Sequence, residues 1–202
     1  MATTDPFAAL DAAWHAASRL ELAGAAAGFV YVVLAIRGHR GCWIAGGVST
    51  ALYLAVFVDA RLYLQGALQG AYLVLAVYGW RAWRRDGAGS APFVQRASPR
   101  LQAVLLLAVA AAAALTVPAL RTYTDAASPG LDAATTWASI AATWLLARRY
   151  ADNWLWWIVI DLAIAALAVV EALWLTALLY VAFTGLAAVG FLRWRRDVAV
   201  PA

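Results

Sequence analysis

Apolar runs of about 20 residues, each closed by a charged residue, follow one another along almost the whole chain. They predict seven helices, at 18–36, 43–59, 62–83, 101–120, 131–147, 153–170 and 173–194, and leave almost no sequence for a folded soluble domain. At a rise of about 1.5 Å per residue, a run of about 20 covers the hydrocarbon core of a bilayer, about 30 Å thick. Upstream, residues 7–17 carry Phe7, Leu10 and Trp14 at spacings that suit a short amphipathic helix along the interface, so 1–17 reads as an N-terminal interfacial segment. No Lys or Arg precedes the first apolar run closely enough to form a signal-peptide n-region, and this end is expected to be retained.

The pattern repeats. At a fixed offset of 111 residues, Leu20, Leu34, Arg37, Trp43, Leu62, Gly79, Trp83, Arg84, Arg85 and Asp86 recur without a gap as Leu131, Leu145, Arg148, Trp154, Leu173, Gly190, Trp194, Arg195, Arg196 and Asp197. Residues 18–86 and 131–197 are therefore read as two three-helix repeats. A Gly-, Ser- and Pro-rich loop (87–100) and a linker helix (101–120) lie between them. An odd number of spans per repeat forces the extra crossing if both repeats are to run the same way. The fold class expected is an all-α membrane protein with a 3+1+3 arrangement of parallel repeats, the layout of a carrier whose halves rock about a central site.

Composition agrees: 65% of residues are apolar and only 13% charged, with a mean hydropathy of +0.75, against about 25% charged in a soluble domain. Every basic side chain is arginine, and 12 of the 15 fall in the loops of one side, leaving Arg19, Arg61 and Arg121 on the other. That split places the N-terminus outside and the C-terminus in the cytoplasm. The basic balance thus reflects topology, and no nucleic-acid partner is expected. Cys42 has no second cysteine to pair with. His15 and His39 stand apart with no metal-ligand spacing, and no phosphate loop, nucleophile elbow or HExxH pattern occurs. No metal, cofactor or enzymatic activity is expected.

Polar residues inside spans are costly, so they mark where function should lie. In the third span Gln65, Gln69 and Tyr72 share one helical face, and their repeat partners in the seventh are Thr176, Tyr180 and Phe183, with Thr184 beside them. In the sixth span Asn153 precedes Trp154, Trp157 and Asp161, which fall on one face, within about 60° of one another at about 100° per residue. Trp156 points the other way and suits an aromatic belt. Asp161 lies deep in its span, where a carboxylate costs at least ~2.5–3.5 kcal/mol if charged. Trp faces attract flat cations, and Gln, Asn, Thr and Tyr bond hydroxyls or an amide, so the set suits a small, flat, hydroxylated and cationic solute. The alternative for Gln69 and Thr184 is a bond between helices. Gly24 and Gly28, like Gly66 and Gly70, form small-xxx-small pairs that permit close helix contact.

The segments RRYADNWLWWIVID (148–161), ELAGAAAGFVYVVLAIR (21–37), RLYLQGALQ (61–69) and YGWRAW (78–83) closely resemble the PnuC family of bacterial nicotinamide riboside transporters, from Glu21 to Trp194. The resemblance implies a relative of the SWEET sugar carriers in the bacterial inner membrane, often trimeric. It would act as a facilitator without a coupling ion and rely on a cytoplasmic kinase that traps the vitamin by phosphorylation. Residue by residue, it implies that Asn153, Trp154 and Trp157 line the substrate site with Gln69, Tyr180 and Thr184. Asp161 and Ser49 stand where Asn is expected in nicotinamide riboside carriers. Thiamine first, and then riboflavin, remain alternatives as cargo; a non-transporting membrane scaffold is the alternative of a different class.

Overall fold

The computed structural model describes residues 18–59, 63–85, 94–124, 128–171 and 173–198. The interfacial segment expected at 1–17 lies outside them, as do the first residues of the 87–100 loop. Among the described residues seven helices are formed: α1 Arg19–Ile36, α2 Cys42–Asp59, α3 Tyr63–Arg85, α4 Pro99–Tyr123, α5 Pro129–Ala147, α6 Asn153–Val170 and α7 Trp174–Trp194. Their ends have local causes. Ser18 and Glu21 form a reciprocal capping box on α1, and Ser98 accepts from the Leu101 N–H at 3.2 Å to start α4, with Pro99 in the first turn where its missing N–H costs nothing. The linker helix consequently begins two residues earlier than its apolar run, and it continues past Pro118 to Tyr123.

Five of the seven, α1, α2, α4, α6 and most of α7, are long and apolar enough to cross a membrane by composition alone. The other two are α3, which carries Gln65 and Gln69, and α5, which carries Thr135, Thr136, Ser139 and Thr143, and these two pack against each other. Alanine and leucine on α5 (Ala142, Leu145, Leu146) are almost fully buried. Apart from α5, the helices present exposed Val, Leu or Phe outward, Val74 and Val77 of α3 among them, as a lipid solvent requires.

Contacts between helices follow the repeat. Within the first half α2 packs on both α1 and α3; within the second, α6 packs on both α5 and α7. The halves meet through α3 against α5 and through α7 against α1, a pair of contacts that the 111-residue offset exchanges. Outside this set, α4 packs on α5, with the Trp137 indole N–H donating to Thr116 Oγ1 at 2.9 Å. The Trp156 indole N–H donates to Gln102 Oε1 of α4 at 2.8 Å.

At the arginine-rich end the symmetry reaches single atoms. Trp43 and Trp83 meet edge to face at 5.4 Å, Trp154 and Trp194 at 5.7 Å. The Trp83 indole N–H donates across the halves to the Ala147 carbonyl at 3.0 Å, and that of Trp194 to the Ile36 carbonyl at 3.1 Å. Ile36 and Ala147 end α1 and α5, where carbonyls have no partner within their own helix. The turns that follow both need a left-handed residue, Gly38 at φ 66° and Arg149 at φ 58°. For arginine that conformation costs ~1–2 kcal/mol. Its guanidinium lies 4.1 Å from the Trp83 ring centre, a cation–π contact worth ~2 kcal/mol when desolvated, which offsets the strain.

A short strap closes the same end. The Gln95 N–H donates to the Arg149 carbonyl at 3.1 Å and its carbonyl accepts from the Ala151 N–H at 2.9 Å, while Val94 is buried in the core. The Asp152 carboxylate accepts from the Ala97 N–H at 2.7 Å and from the Arg96 guanidinium at 3.3 Å. Residues 94–98, part of the expected loop, are thus fastened to the α5–α6 turn.

Candidate functional site

A cavity of ≈ 170 Å³ opens beside this tryptophan layer. The wall is mostly first-half: Tyr31 from α1, Trp43, Gly46, Ser49 and Thr50 from α2, and Gln69, Tyr72 and Ala76 from α3. Thr143 of α5 and Trp157 of α6 bring the second half to it. The lining therefore joins both repeats. Among the described residues it offers two indole faces, five hydroxyls and one amide, with no Asp, Glu, Lys or Arg.

Local packing positions these groups. Tyr31 lies along α2 because position 46 is glycine; a Cβ there would stand 2.9 Å from its ring. The Ser49 hydroxyl donates to the Gly24 carbonyl of α1 at 2.8 Å, and Gly28 lies under the same oxygen. The Gly24–Gly28 pair is thus a close α1–α2 contact, and Gly66 packs against Leu54 and Val58, while Gly70 has open space beside it. Thr143 Oγ1 donates to the Ser139 carbonyl at 2.8 Å within α5, leaving its lone pairs for the cavity. Tyr72 reaches Ser139 of the opposite half.

Of the residues expected from sequence, Gln69, Tyr72 and Trp157 line this cavity together. Asp161 is buried one turn beyond Trp157, within electrostatic reach of Tyr72 and Tyr180. Tyr180 packs edge to face on Phe183 at 6.1 Å, and the Thr184 hydroxyl donates to the Tyr180 carbonyl at 2.9 Å. Asn153 is fully buried at the start of α6, with Nδ2 donating to the Tyr150 carbonyl at 2.6 Å. Trp154 is wedged over Gly190 in the aromatic core. These last two therefore stand behind the cavity wall, while the Gln65 side chain lies outside the described residues. Sequence reasoning did not single out Tyr31, Thr50 or Thr143. Internal comparison supplies a signal for them: their repeat partners are Ala142, Asp161 and Val32, so these are positions where the two halves differ.

Two repeated halves around a largely apolar cavity set with a few hydroxyls and one amide, in a bundle with an apolar exterior, define the class as a multi-pass membrane transport protein. Residues 18–196 match the family described as nicotinamide mononucleotide transporter, and the chain belongs to that family, the PnuC transporters. It is 27% identical over 203 aligned residues to the nicotinamide riboside transporter PnuC of Escherichia coli (strain K12), an alignment covering 88% of this chain and 85% of the relative. The PnuC of Shigella flexneri matches to the same extent. In three dimensions the chain resembles the crystal structure of the vitamin B3 transporter PnuC, with a TM-score of 0.74 and 23% identity over 96% of this chain and 89% of that one.

Proposed function

We propose that this protein carries nicotinamide riboside across the bacterial inner membrane by facilitated diffusion, and that a cytoplasmic kinase then traps the vitamin as its phosphate. The observation that carries the reading is the cavity whose lining joins Gln69 and Tyr72 of one half to Thr143 and Trp157 of the other. The pyridinium ring suits an indole face, and the ribose hydroxyls and carboxamide suit Gln69 and the surrounding hydroxyls. Among the described lining residues none is arginine or lysine, which favours the riboside over the mononucleotide, because a buried phosphate without a counter-charge is costly.

In this reading α1–α3 and α5–α7 are the two units of a 3+1+3 carrier with α4 as linker, supported by contacts that the repeat offset exchanges. The N-terminus lies outside and the arginine-rich end faces the cytoplasm. The halves rock about the cavity to alternate its access. Among the described residues, Asp161 is the one buried carboxylate inside a helix, which favours uniport over a proton relay. Asn153 and Trp154 shape the wall from behind, and Tyr180, Thr184 and Asp161 extend it on the α6–α7 side. Thiamine is the second reading, favoured by the Asp161 carboxylate, since it too is a flat cation. Assembly as a homotrimer accompanies the proposal.

The test is counterflow of labelled nicotinamide riboside in proteoliposomes containing the purified protein alone. Exchange without a proton or sodium gradient, blocked by excess riboside and not by the mononucleotide, is expected. Exchange that requires an imposed gradient, or that thiamine alone supports, would replace this reading.

A further inference from the structure

We infer that Trp83, Trp194 and Arg149 form the gate on the arginine-rich side of the cavity, and that the reciprocal indole-to-carbonyl bonds across the halves are its latch. The inference rests on the transport reading, because a gate presupposes a cargo.

The tryptophans divide into two kinds. Trp43 and Trp154 stay within their own halves: a Cβ on Gly79 of α3 would approach Trp43 to 2.3 Å, and one on Gly190 of α7 would approach Trp154 to 2.6 Å. Neither indole N–H has a hydrogen-bond partner among the described residues. Trp83 and Trp194 pack on those fixed rings and also reach across, to the carbonyls of Ala147 and Ile36, with 6.2 Å between their own ring centres. Arg149, from the second half, adds a third crossing by covering Trp83 of the first at 4.1 Å.

The layer lies in the path of exit. Trp43 lines the cavity, and its other side packs on Trp83. On α3, Ala76 lines the cavity and Trp83 follows two turns later towards the arginine-rich end. A solute leaving between the halves on that side meets Trp83, Trp194 and Arg149, and can pass only when both cross bonds and the Arg149 stack are broken. The two bonds are exchanged by the repeat, so one rocking motion releases both. Arg149 is the asymmetric part, since its counterpart is Gly38.

The protein carries its own reporter. Cys42, the single cysteine, is fully buried and lies within electrostatic reach of both Arg149 and Tyr31, between gate and cavity. The experiment is the rate at which a small maleimide labels Cys42 in the full-length protein in nanodiscs, with no vitamin present. Each hydrogen bond shifts an equilibrium by roughly 2- to 10-fold, so the double variant Trp83→Phe/Trp194→Phe is expected to label roughly tenfold faster than wild type or more. The control Trp43→Phe/Trp154→Phe removes two indoles from the same cluster but no cross bond, and should label within about twofold of wild type. Arg149→Gly suits the left-handed backbone, keeps the fold, and should label several-fold faster. Equal rates in the two double variants, or a wild-type rate in Arg149→Gly, would overturn the gate. A wrong vitamin assignment would leave these labelling rates untouched and appear only in uptake.

Discussion

Gly79→Ala and Gly190→Ala set two opposing effects against each other. In a helix interior the exchange of glycine for alanine stabilises by ~0.8–1 kcal/mol through backbone entropy. At position 79, however, the new methyl would meet three atoms of the Trp43 ring at 2.3–2.6 Å, and at position 190 three atoms of Trp154 at 2.6–2.8 Å. Both rings are held by neighbours, Trp43 edge to face on Trp83 and tilted against Tyr31 at 6.3 Å, Trp154 edge to face on Trp194 at 5.7 Å. Overpacking of this kind costs up to ~3 kcal/mol, so the net expected loss is ~2 kcal/mol per site. For a chain of 202 residues, that corresponds to a fall in melting temperature of about 4–8 °C. Gly70→Ala is the counter-case, with nothing within 4 Å of its added methyl, and it should rise by about 2–4 °C. Thermal unfolding of the detergent-solubilised protein measures all three. A rise in the Gly79 and Gly190 variants equal to that at Gly70 would refute the packing of the indoles into the glycine hollows.

Two other contacts give directional predictions. Asp152→Ala removes a buried acceptor from the Ala97 N–H and is expected to cost ~1.5–3 kcal/mol, whereas Arg96→Ala, with its side chain 58% exposed, should cost under ~1 kcal/mol; equal losses in melting temperature would mean that the ion pair, and not the backbone bond, holds the strap. Ser49→Ala loses the 2.8 Å bond to Gly24 and should cost ~0.6–1.7 kcal/mol, and Gly28→Ala should be better tolerated in that background, because the oxygen 3.2 Å from the new methyl is gone; additive losses in a double-mutant cycle would contradict the contact.

The helices were legible because their signal is local: seven apolar runs coincide with seven helices to within about two residues at nearly every end. Caps refine the boundaries, as Ser98–Pro99 does for α4. The strap at 94–98 was not legible, since its bonds join Gln95 to Arg149 and Ala151 and leave no periodic trace in a segment rich in loop residues. The site was read in part. Placing Trp154 and Trp157 on one helical face was correct geometry, but it could not tell which ring met a cavity and which met a neighbouring glycine. The repeat distinguishes them: Trp154 with Gly190 copies Trp43 with Gly79, a shared frame, whereas Trp157 stands opposite Gly46, a difference between the halves. Most of the cavity wall is made of such differences, with Trp43 and Ala76 as the exceptions.

The central claim is that the cavity holding Gln69 and Trp157 binds nicotinamide riboside. Titration of the vitamin into the purified protein, followed by quenching of its 11 tryptophans, tests it most directly. Saturable quenching by the riboside is expected, weaker by the mononucleotide, with the dissociation constant raised roughly 2- to 30-fold in Trp157→Ala and roughly 2- to 10-fold in Gln69→Ala. Unchanged affinity in both variants, or tighter binding of the mononucleotide than of the riboside, would contradict it.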